Sequence, residues 1–186
     1  MVAFVLSIAL AVVSHHAAHA ARPAVAADRA VATAEAVQAR SSTHFPVRGI
    51  VVPGVSFAGL KLGQTEQQVA ALWGKNYTVC TYCKDTTWLY VYPGGEPLGA
   101  GVRFRNNKVV ALFSLGSPAG WRTDKGLFMG DPISNVYNYF GTTGTTRCIG
   151  FDALTVRLGN SVTAFYSAAG VIYGFAIVVG NMSVCQ

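Results

Sequence analysis

Cys80-Thr-Tyr-Cys83 is the stretch whose residue types and spacing most directly suggest chemistry, because two cysteines this close can carry out thiol–disulfide exchange. Redox motifs of this kind open a helix, whose N-terminal dipole lowers the thiol pKa. Here the motif follows a predicted helix and is flanked by β-forming residues, Tyr77–Val79 before it and Thr86–Trp88 after it. We therefore expect Cys80 and Cys83 to form a structural bridge, with redox catalysis as the less favoured alternative.

Other catalytic or metal-binding arrangements are not indicated. Beyond the first twenty residues the chain has a single histidine, His44, so we expect no Ser–His or Cys–His pair inside the domain. The carboxylates are scattered along the chain, and a zinc site would need a second CxxC motif. We predict that the protein is not an enzyme and has no metal or cofactor.

The N-terminus predicts export. Val2–Val13 is an apolar run too short to span a bilayer, and Ala18-His19-Ala20 matches a signal-peptidase site. Residues 1–20 are therefore predicted to be a signal peptide, which leaves no membrane span and places the protein outside the cell or in the cell envelope. In that oxidising compartment four cysteines favour two disulfides.

Three pairings of the four cysteines are possible. We favour Cys80–Cys83 with Cys148–Cys185, because this pairing keeps each bridge within one half of the chain. The composition, 52% apolar and 12% charged, is enough to build a core. The net charge of +6 is spread along the chain without a basic run, so no nucleic-acid partner is expected.

An internal repeat organises the chain. Gly59–Gly74 returns as Gly126–Gly141, with both outer glycines, the inner glycine and apolar positions matched. Each copy predicts a short helix between its last two glycines, followed by alternating strands. The first helix has the capping box Thr65-x-x-Gln68, and in the second Asp131-Pro132 offers an N-cap and an N1 proline.

The predicted fold is α+β, with two tandem repeats of a helix followed by an antiparallel meander. Together they form two layers, with the helices on one face of the sheet. After the signal peptide, the predicted organisation is a flexible leader (21–48), a first repeat (49–116) and a second repeat (117–186).

Three motifs carry a resemblance to a known family. They are Gly63-Gln-Thr followed by Val69 and Gly74, then Asp85-Thr-Thr-Trp88-x-Tyr90-x-Tyr92, and Phe104-x-Asn-Asn-x-Val109. This order resembles the SmpA/OmlA (BamE-like) module, and two such units in one secreted chain are similar to the β-lactamase inhibitor protein (BLIP-like) fold. Members of the family bind other proteins and have no catalytic centre, so the resemblance implies non-enzymatic protein binding. Gln64 replaces the family's methionine and the lipid-anchor cysteine is absent, so no particular partner is implied.

Strand alternation predicts a binding surface on the sheet face opposite the helices. If Val102 and Phe104 share the covered face with Leu89 and Val91, the other face collects aromatic and arginine side chains, which often dominate binding interfaces. We expect this face to bind an extracellular or envelope protein of unidentified kind. Stacking of its aromatic rings on a cell-wall polysaccharide is an alternative. The predicted binding residues are Trp88, Tyr90, Tyr92, Arg103, Arg105 and Arg157.

Overall fold

The computed structural model describes residues 45–91, 99–116, 120–141 and 143–185. The predicted signal peptide (1–20) and most of the predicted leader (21–48) lie outside these residues. Phe45 is described, and its ring packs against Trp73, Tyr90 and Trp121 with centroids 5.1, 5.2 and 6.1 Å apart. The end of the predicted leader therefore contributes to the core.

The larger of two sheets has eight antiparallel strands in the order β3-β4-β5-β6-β11-β10-β9-β8. Its longer strands are rich in β-branched and aromatic residues, which favour a pleated, half-buried surface. In chain order the strands are β3 (Thr78–Val79), β4 (Thr87–Val91), β5 (Gly99–Arg105), β6 (Lys108–Leu115), β8 (Gly144–Arg147), β9 (Asp152–Leu158), β10 (Ser161–Ala168) and β11 (Val171–Val179).

A second sheet consists of three short strands, which are hydrogen-bonded to one another and form a sheet separate from the first. Its central strand β1 (Gly49–Val52) pairs antiparallel with β2 (Ser56–Phe57) and parallel with β7 (Trp121–Thr123). These three strands bring Val51, Phe57 and Trp121 into the main core, where all three are fully buried.

The first helix, α1 (Glu66–Trp73), begins as the sequence predicts. The Thr65 hydroxyl accepts a hydrogen bond from the Gln68 backbone N–H at 3.3 Å, and the Gln68 side chain accepts one from the Thr65 N–H at 2.8 Å. This capping box satisfies two N–H groups that the helix itself leaves unpaired. The helix ends at Gly74, whose φ of +79° is rarely adopted by residues other than glycine.

The second helix, α2 (Asn135–Phe140), begins later than predicted. The Asp131 carboxylate does not cap it, because it accepts a hydrogen bond from the backbone N–H of Phe128 at 2.8 Å. Pro132 forms a β-bridge with Val171. Asp131 and Pro132 therefore close the preceding turn, and the predicted N-cap is wrong.

The predicted α+β fold of two helix-plus-meander repeats, with helices covering one face of the sheet, is also wrong. The described chain is mostly β-structure, and its two helices have 8 and 6 residues. An eight-residue helix is about 12 Å long, whereas eight strands span about 34 Å. Helices this short do not cover such a sheet, and the three-stranded sheet supplies much of the apolar layer against it.

The two faces of the large sheet carry separate apolar clusters. The inner face packs against the three-stranded sheet and includes Trp88, Phe104, Phe165 and Phe175. The outer face carries the second cluster, which consists of Ala111, Phe113, Ala153, Val162, Ala164, Tyr166, Ala176, Val178 and Val184, with Leu89, Leu115, Cys148, Phe151, Tyr173 and Met182 packed against it.

Candidate binding surface

Trp88 and Tyr90 are core residues. The exposed fraction of Trp88 is 6% and that of Tyr90 is 1%. Trp88 stacks on Tyr77 with ring centroids 3.9 Å apart, and the Tyr90 hydroxyl donates to the carbonyl of Gly74 at 3.2 Å. Burial raises the pKa of Tyr90. The prediction that these two rings lie on an exposed face is therefore wrong, and Tyr92 lies outside the described residues.

The error comes from the register between β4 and β5. Trp88 pairs with Val102, and Tyr90 pairs with Ala100. Residues directly opposite each other on neighbouring strands share a face of the sheet. The sequence interpretation placed Leu89 with Val102 instead, and a shift of one residue moves every side chain of a strand to the other face.

Arg103 and Arg157 lie on the outer face. Cross-strand pairs connect them through β6, β11 and β10, so four strand spacings, about 19 Å, separate their backbones. The row that joins them is Arg103, Ala111, Val178, Val162 and Arg157. The Arg157 side chain is exposed and donates to the carbonyl of Gly180 at 3.2 Å.

The C-terminal segment folds back onto the outer face. Val184 is buried in the outer cluster, and its carbonyl accepts a hydrogen bond from the Tyr166 hydroxyl. Phe151 meets Tyr166 edge to face, with centroids 5.0 Å apart. Burial raises the pKa of Tyr166. The disulfide Cys148–Cys185 fixes this segment to the loop between β8 and β9.

One exposed loop, the Tyr82 tip (Cys80–Cys83), joins β3 to β4. The Cys80 N–H donates to the carbonyl of Thr87 at 2.9 Å, which extends the strand pairing to the start of the loop. The Cys80–Cys83 disulfide then closes the turn. Tyr82, between the two cysteines, is 89% exposed. The bridge therefore holds a large aromatic side chain in solvent.

A second exposed loop, the Ile149 tip (Cys148–Phe151), joins β8 to β9. The Cys148 N–H donates to the carbonyl of Phe151 at 2.9 Å, and Gly150 has a φ of +84° that suits this tight turn. Cys148 is bridged to Cys185. Ile149 is 99% exposed, so this tip also presents one apolar side chain on a loop fixed by a disulfide.

The two tips lie near opposite edges and at opposite ends of the large sheet. The Tyr82 tip precedes β4 and lies at the same end as the β5–β6 turn. The strand register puts the Ile149 tip at the other end, beside the β10–β11 turn. Cys148 packs on the outer cluster, and Cys80 lies opposite Thr87, which pairs with Arg103 of the outer face. Both loops are therefore anchored on the outer side of the sheet.

Each tip lies beside an arginine–aspartate pair. Arg105 meets the Asp85 carboxylate at 2.8 Å, and Arg147 meets Asp152 at 3.6 Å. The hydrogen bond from Arg105 holds the pKa of Asp85 below its usual value. Desolvation acts in the opposite direction, and the charges of Arg105, Arg103 and Lys84 make smaller contributions that lower the pKa further. Asp85 is therefore ionised at neutral pH and engaged by Arg105.

The four cysteines form the two disulfides that the sequence favoured, Cys80–Cys83 and Cys148–Cys185. Cys80 and Cys83 lie in a strand-to-strand turn, without the helix that activates redox motifs. In the described ranges, no three His, Cys, Asp or Glu side chains are grouped so as to hold a metal ion. The helices of the same ranges are too short or too polar to cross a membrane.

Sequence reasoning did not single out Tyr82 or Ile149. The available signal was their position: Tyr82 is enclosed by two cysteines, and Ile149 stands between Cys148 and Gly150. An apolar residue next to a disulfide-bonded cysteine in a tight turn is held in place by the loop that carries it. Strand alternation, which guided the prediction, carries no information about such turns.

No protein-family model matches the sequence, and no curated protein matches it. Solved structures do match. A cysteine-rich secretory protein from Staphylococcus aureus aligns with a TM-score of 0.50 at 11% identity, over 73% of this chain and 50% of the other. An extracellular protein from Bacillus anthracis that contains an SCP domain aligns with a TM-score of 0.49 at 11% identity, over 63% of this chain and 44% of the other. This chain thus spans about half the length of each, and the likeness to the Staphylococcus aureus protein concerns the fold alone.

The resemblance to the SmpA/OmlA module, duplicated as in the BLIP-like fold, is wrong on these findings. A candidate β-lactamase inhibitor protein from Streptococcus mutans aligns with a TM-score of only 0.24, at 11% identity over 70% of this chain and 90% of the other. The predicted secreted location is confirmed, because two disulfides are typical of proteins from an oxidising compartment.

Proposed function

We propose that this chain is a secreted, non-catalytic module that binds another extracellular or cell-envelope protein through the Tyr82 tip and the Ile149 tip. One observation carries the proposal: each of two disulfide-held loops exposes a single large apolar side chain almost completely. Burying such a side chain in a partner is favourable. A loop already fixed by a disulfide also loses less conformational entropy on binding than a flexible one.

The separation of the tips favours a protein as the partner. Eight strands place the edges of the sheet about 34 Å apart, a distance that a small ligand does not bridge. Specific protein interfaces bury about 800 Å² on each side, and contact with both tips needs a partner of macromolecular size. Two anchors at opposite corners would also fix the orientation of the partner.

The two alternative functions have less support. Stacking on a cell-wall polysaccharide was predicted for Trp88, Tyr90 and Tyr92. The first two rings are buried, and Tyr92 lies outside the described residues. Thiol–disulfide exchange by Cys80 and Cys83 would need an activated thiol, and their turn provides no helix N-terminus to lower a thiol pKa. The descriptions of the two similar structures, one extracellular and one secretory, agree with a secreted binding module.

Site-specific photo-crosslinking tests the proposal. A photoreactive phenylalanine analogue replaces Tyr82 in one variant and Ile149 in a second. A third carries it at Tyr137, an exposed aromatic on α2 that belongs to neither tip. Each purified variant is irradiated in the culture medium and envelope fraction of the source organism, and the adducts are identified by mass spectrometry.

We expect positions 82 and 149 to crosslink to the same protein and position 137 not to do so. The proposal is refuted if no protein adduct forms at either tip, or if position 137 gives the same adducts with the same yield. Insulin-reduction activity that disappears in Cys83→Ser would instead support the oxidoreductase alternative.

A further inference from the structure

Strand β8 forms one edge of the large sheet, and its outer side is unpaired in the described part of the chain. Its neighbour is β9, and the two strands pair without a bulge from Gly144 to Arg147. Three of the four residues of β8 are exposed. Its sequence, Gly-Thr-Thr-Arg, has no proline or lysine, and Arg147 is engaged by Asp152 at 3.6 Å. This edge therefore lacks several of the features that keep sheet edges from pairing with other chains.

The strand register shows which backbone groups of β8 point away from the sheet. The Cys148 N–H donates to the carbonyl of Phe151, so the backbone of Cys148 faces β9. In an antiparallel pair, successive residues direct their N–H and carbonyl groups to opposite sides of the strand. Thr146 therefore faces β9 as well, and the backbone groups of Thr145 and Arg147 face outward.

Three of these outward groups are available to another chain: the N–H and carbonyl of Thr145 and the N–H of Arg147. None of the three makes a hydrogen bond within the described ranges. The Arg147 carbonyl lies 3.8 Å from the Cys185 sulfur, which marks the covered end of the edge. Alternate residues of a strand are about 7 Å apart, and an extended polypeptide presents matching donors and acceptors at that spacing.

The free edge leads directly into the Ile149 tip. Ile149 follows Thr145 by four residues, which places it at most about 14 Å away, so one interface of ordinary size covers both. We propose that the protein bound by the Ile149 tip adds an extended strand to the outer edge of β8. This inference rests on the proposed function, since it names the backbone conformation that the partner presents at one of the two tips.

Proline substitution tests the inference, because it removes a backbone N–H without changing the charge. Thr145→Pro removes an outward N–H, and edge strands accept proline where the N–H faces solvent. Thr145→Ala shortens the same side chain but keeps the N–H. Val79→Pro is the matched control on β3, at the opposite edge: the Cys80 N–H donates to Thr87 of β4, so the Val79 N–H points away from the sheet.

Each substitution is combined with the photoreactive analogue at position 149, and the yield of the partner adduct is compared at equal protein concentration. Thr145→Pro should lower the yield by about fivefold, the order expected for one lost backbone hydrogen bond. Thr145→Ala should lower it less, and Val79→Pro should leave it unchanged. An undiminished yield with Thr145→Pro, or an equal loss with Val79→Pro, would overturn the inference.

Hydrogen exchange of the wild-type protein gives a second readout that needs no variant to fold. The protein is compared alone and in complex with the partner identified by crosslinking. The Thr145 and Arg147 amides should exchange rapidly in the free protein and slowly in the complex. The Thr146 amide, which is paired with β9, should be protected in both. Equally rapid exchange at Thr145 in the two states would contradict strand addition.

A second copy of the chain is the competing occupant of this edge. Each copy carries a formal net charge of +6, so two copies repel each other, and we expect light scattering to show a monomer. A dimer that Thr145→Pro converts to a monomer would assign the edge to a second copy and overturn the inference.

The failure of this inference is distinguishable from the failure of the proposed function. Crosslinks at positions 82 and 149 that Thr145→Pro does not weaken would leave the proposed function in place and remove only the added strand. Absence of crosslinks at both tips would refute the proposed function, and the inference about its partner with it.

Discussion

Removing the Cys148–Cys185 bridge should destabilise the protein about twice as much as removing Cys80–Cys83. The first bridge joins residues 37 positions apart and the second joins residues 3 apart. If a disulfide acts mainly by restricting the unfolded chain, loops of these lengths correspond to about 4 and about 2 kcal/mol of unfolding free energy. The longer loop also includes β9, β10 and β11, three of the eight strands of the large sheet.

Urea denaturation of two double variants, Cys148→Ser with Cys185→Ser and Cys80→Ser with Cys83→Ser, measures the difference. Fluorescence and circular dichroism should give coincident transitions, and the change in midpoint multiplied by the slope gives the loss of free energy. The first variant should also free the C-terminal segment, so the pKa of Tyr166 should fall towards that of an ordinary tyrosine. If the Cys80–Cys83 variant is the less stable of the two, the chain-entropy reasoning fails.

Three further predictions concern single residues. Tyr166→Phe should lower the unfolding free energy by about 1 kcal/mol, since it removes a buried hydrogen bond to the Val184 carbonyl. Thermal melts of the variant and the wild type measure this loss, and an unchanged stability would contradict the prediction. Gly174→Ala should cost about 2–3 kcal/mol by urea denaturation, because the added Cβ would lie 2.2 Å from a backbone oxygen of β6, and a neutral effect would show that the strands separate easily. Asp85→Asn should destabilise the protein at neutral pH. Because its pKa is lowered in the folded state by Arg105, this contribution is present above the ordinary value of 3.8 and is lost as the pH falls through the folded pKa. Stability curves of variant and wild type should therefore converge in acid, and a constant gap would contradict the ion pair.

Local features of the fold could be predicted because neighbouring residues determine them. The alternation after each predicted helix indicated strands, and the structure has strands there, among them Lys108–Leu115, Ser161–Ala168 and Val171–Val179. Thr65 and Gln68 form the capping box that their spacing predicted. The disulfide pairing is the one of three possible pairings that the sequence favoured. In each case the residues that form the feature also carry the signal for it.

The fold class and the binding surface could not be predicted because they depend on pairing between distant segments. The short strands Gly49–Val52 and Trp121–Thr123 stabilise each other across the chain and show no alternation long enough to detect. The face of the sheet on which Trp88 and Tyr90 lie depends on the register between β4 and β5. A shift of one residue in that register moves both rings to the opposite face. Asp131 next to Pro132 resembled the start of a helix, but the Asp131 carboxylate accepts a hydrogen bond from the backbone N–H of Phe128 and does not cap the helix.

The affinity of tip variants for the protein crosslinked at positions 82 and 149 measures directly whether the two tips bind it. Titration calorimetry would compare wild type with Tyr82→Ser, Ile149→Ser and the double variant, with Tyr137→Ser as the matched control on α2. We expect at least a tenfold loss of affinity for each tip variant, a larger loss for the double variant, and an unchanged affinity for the control. A double variant that binds within twofold of wild type would contradict the claim that the two tips are the binding site.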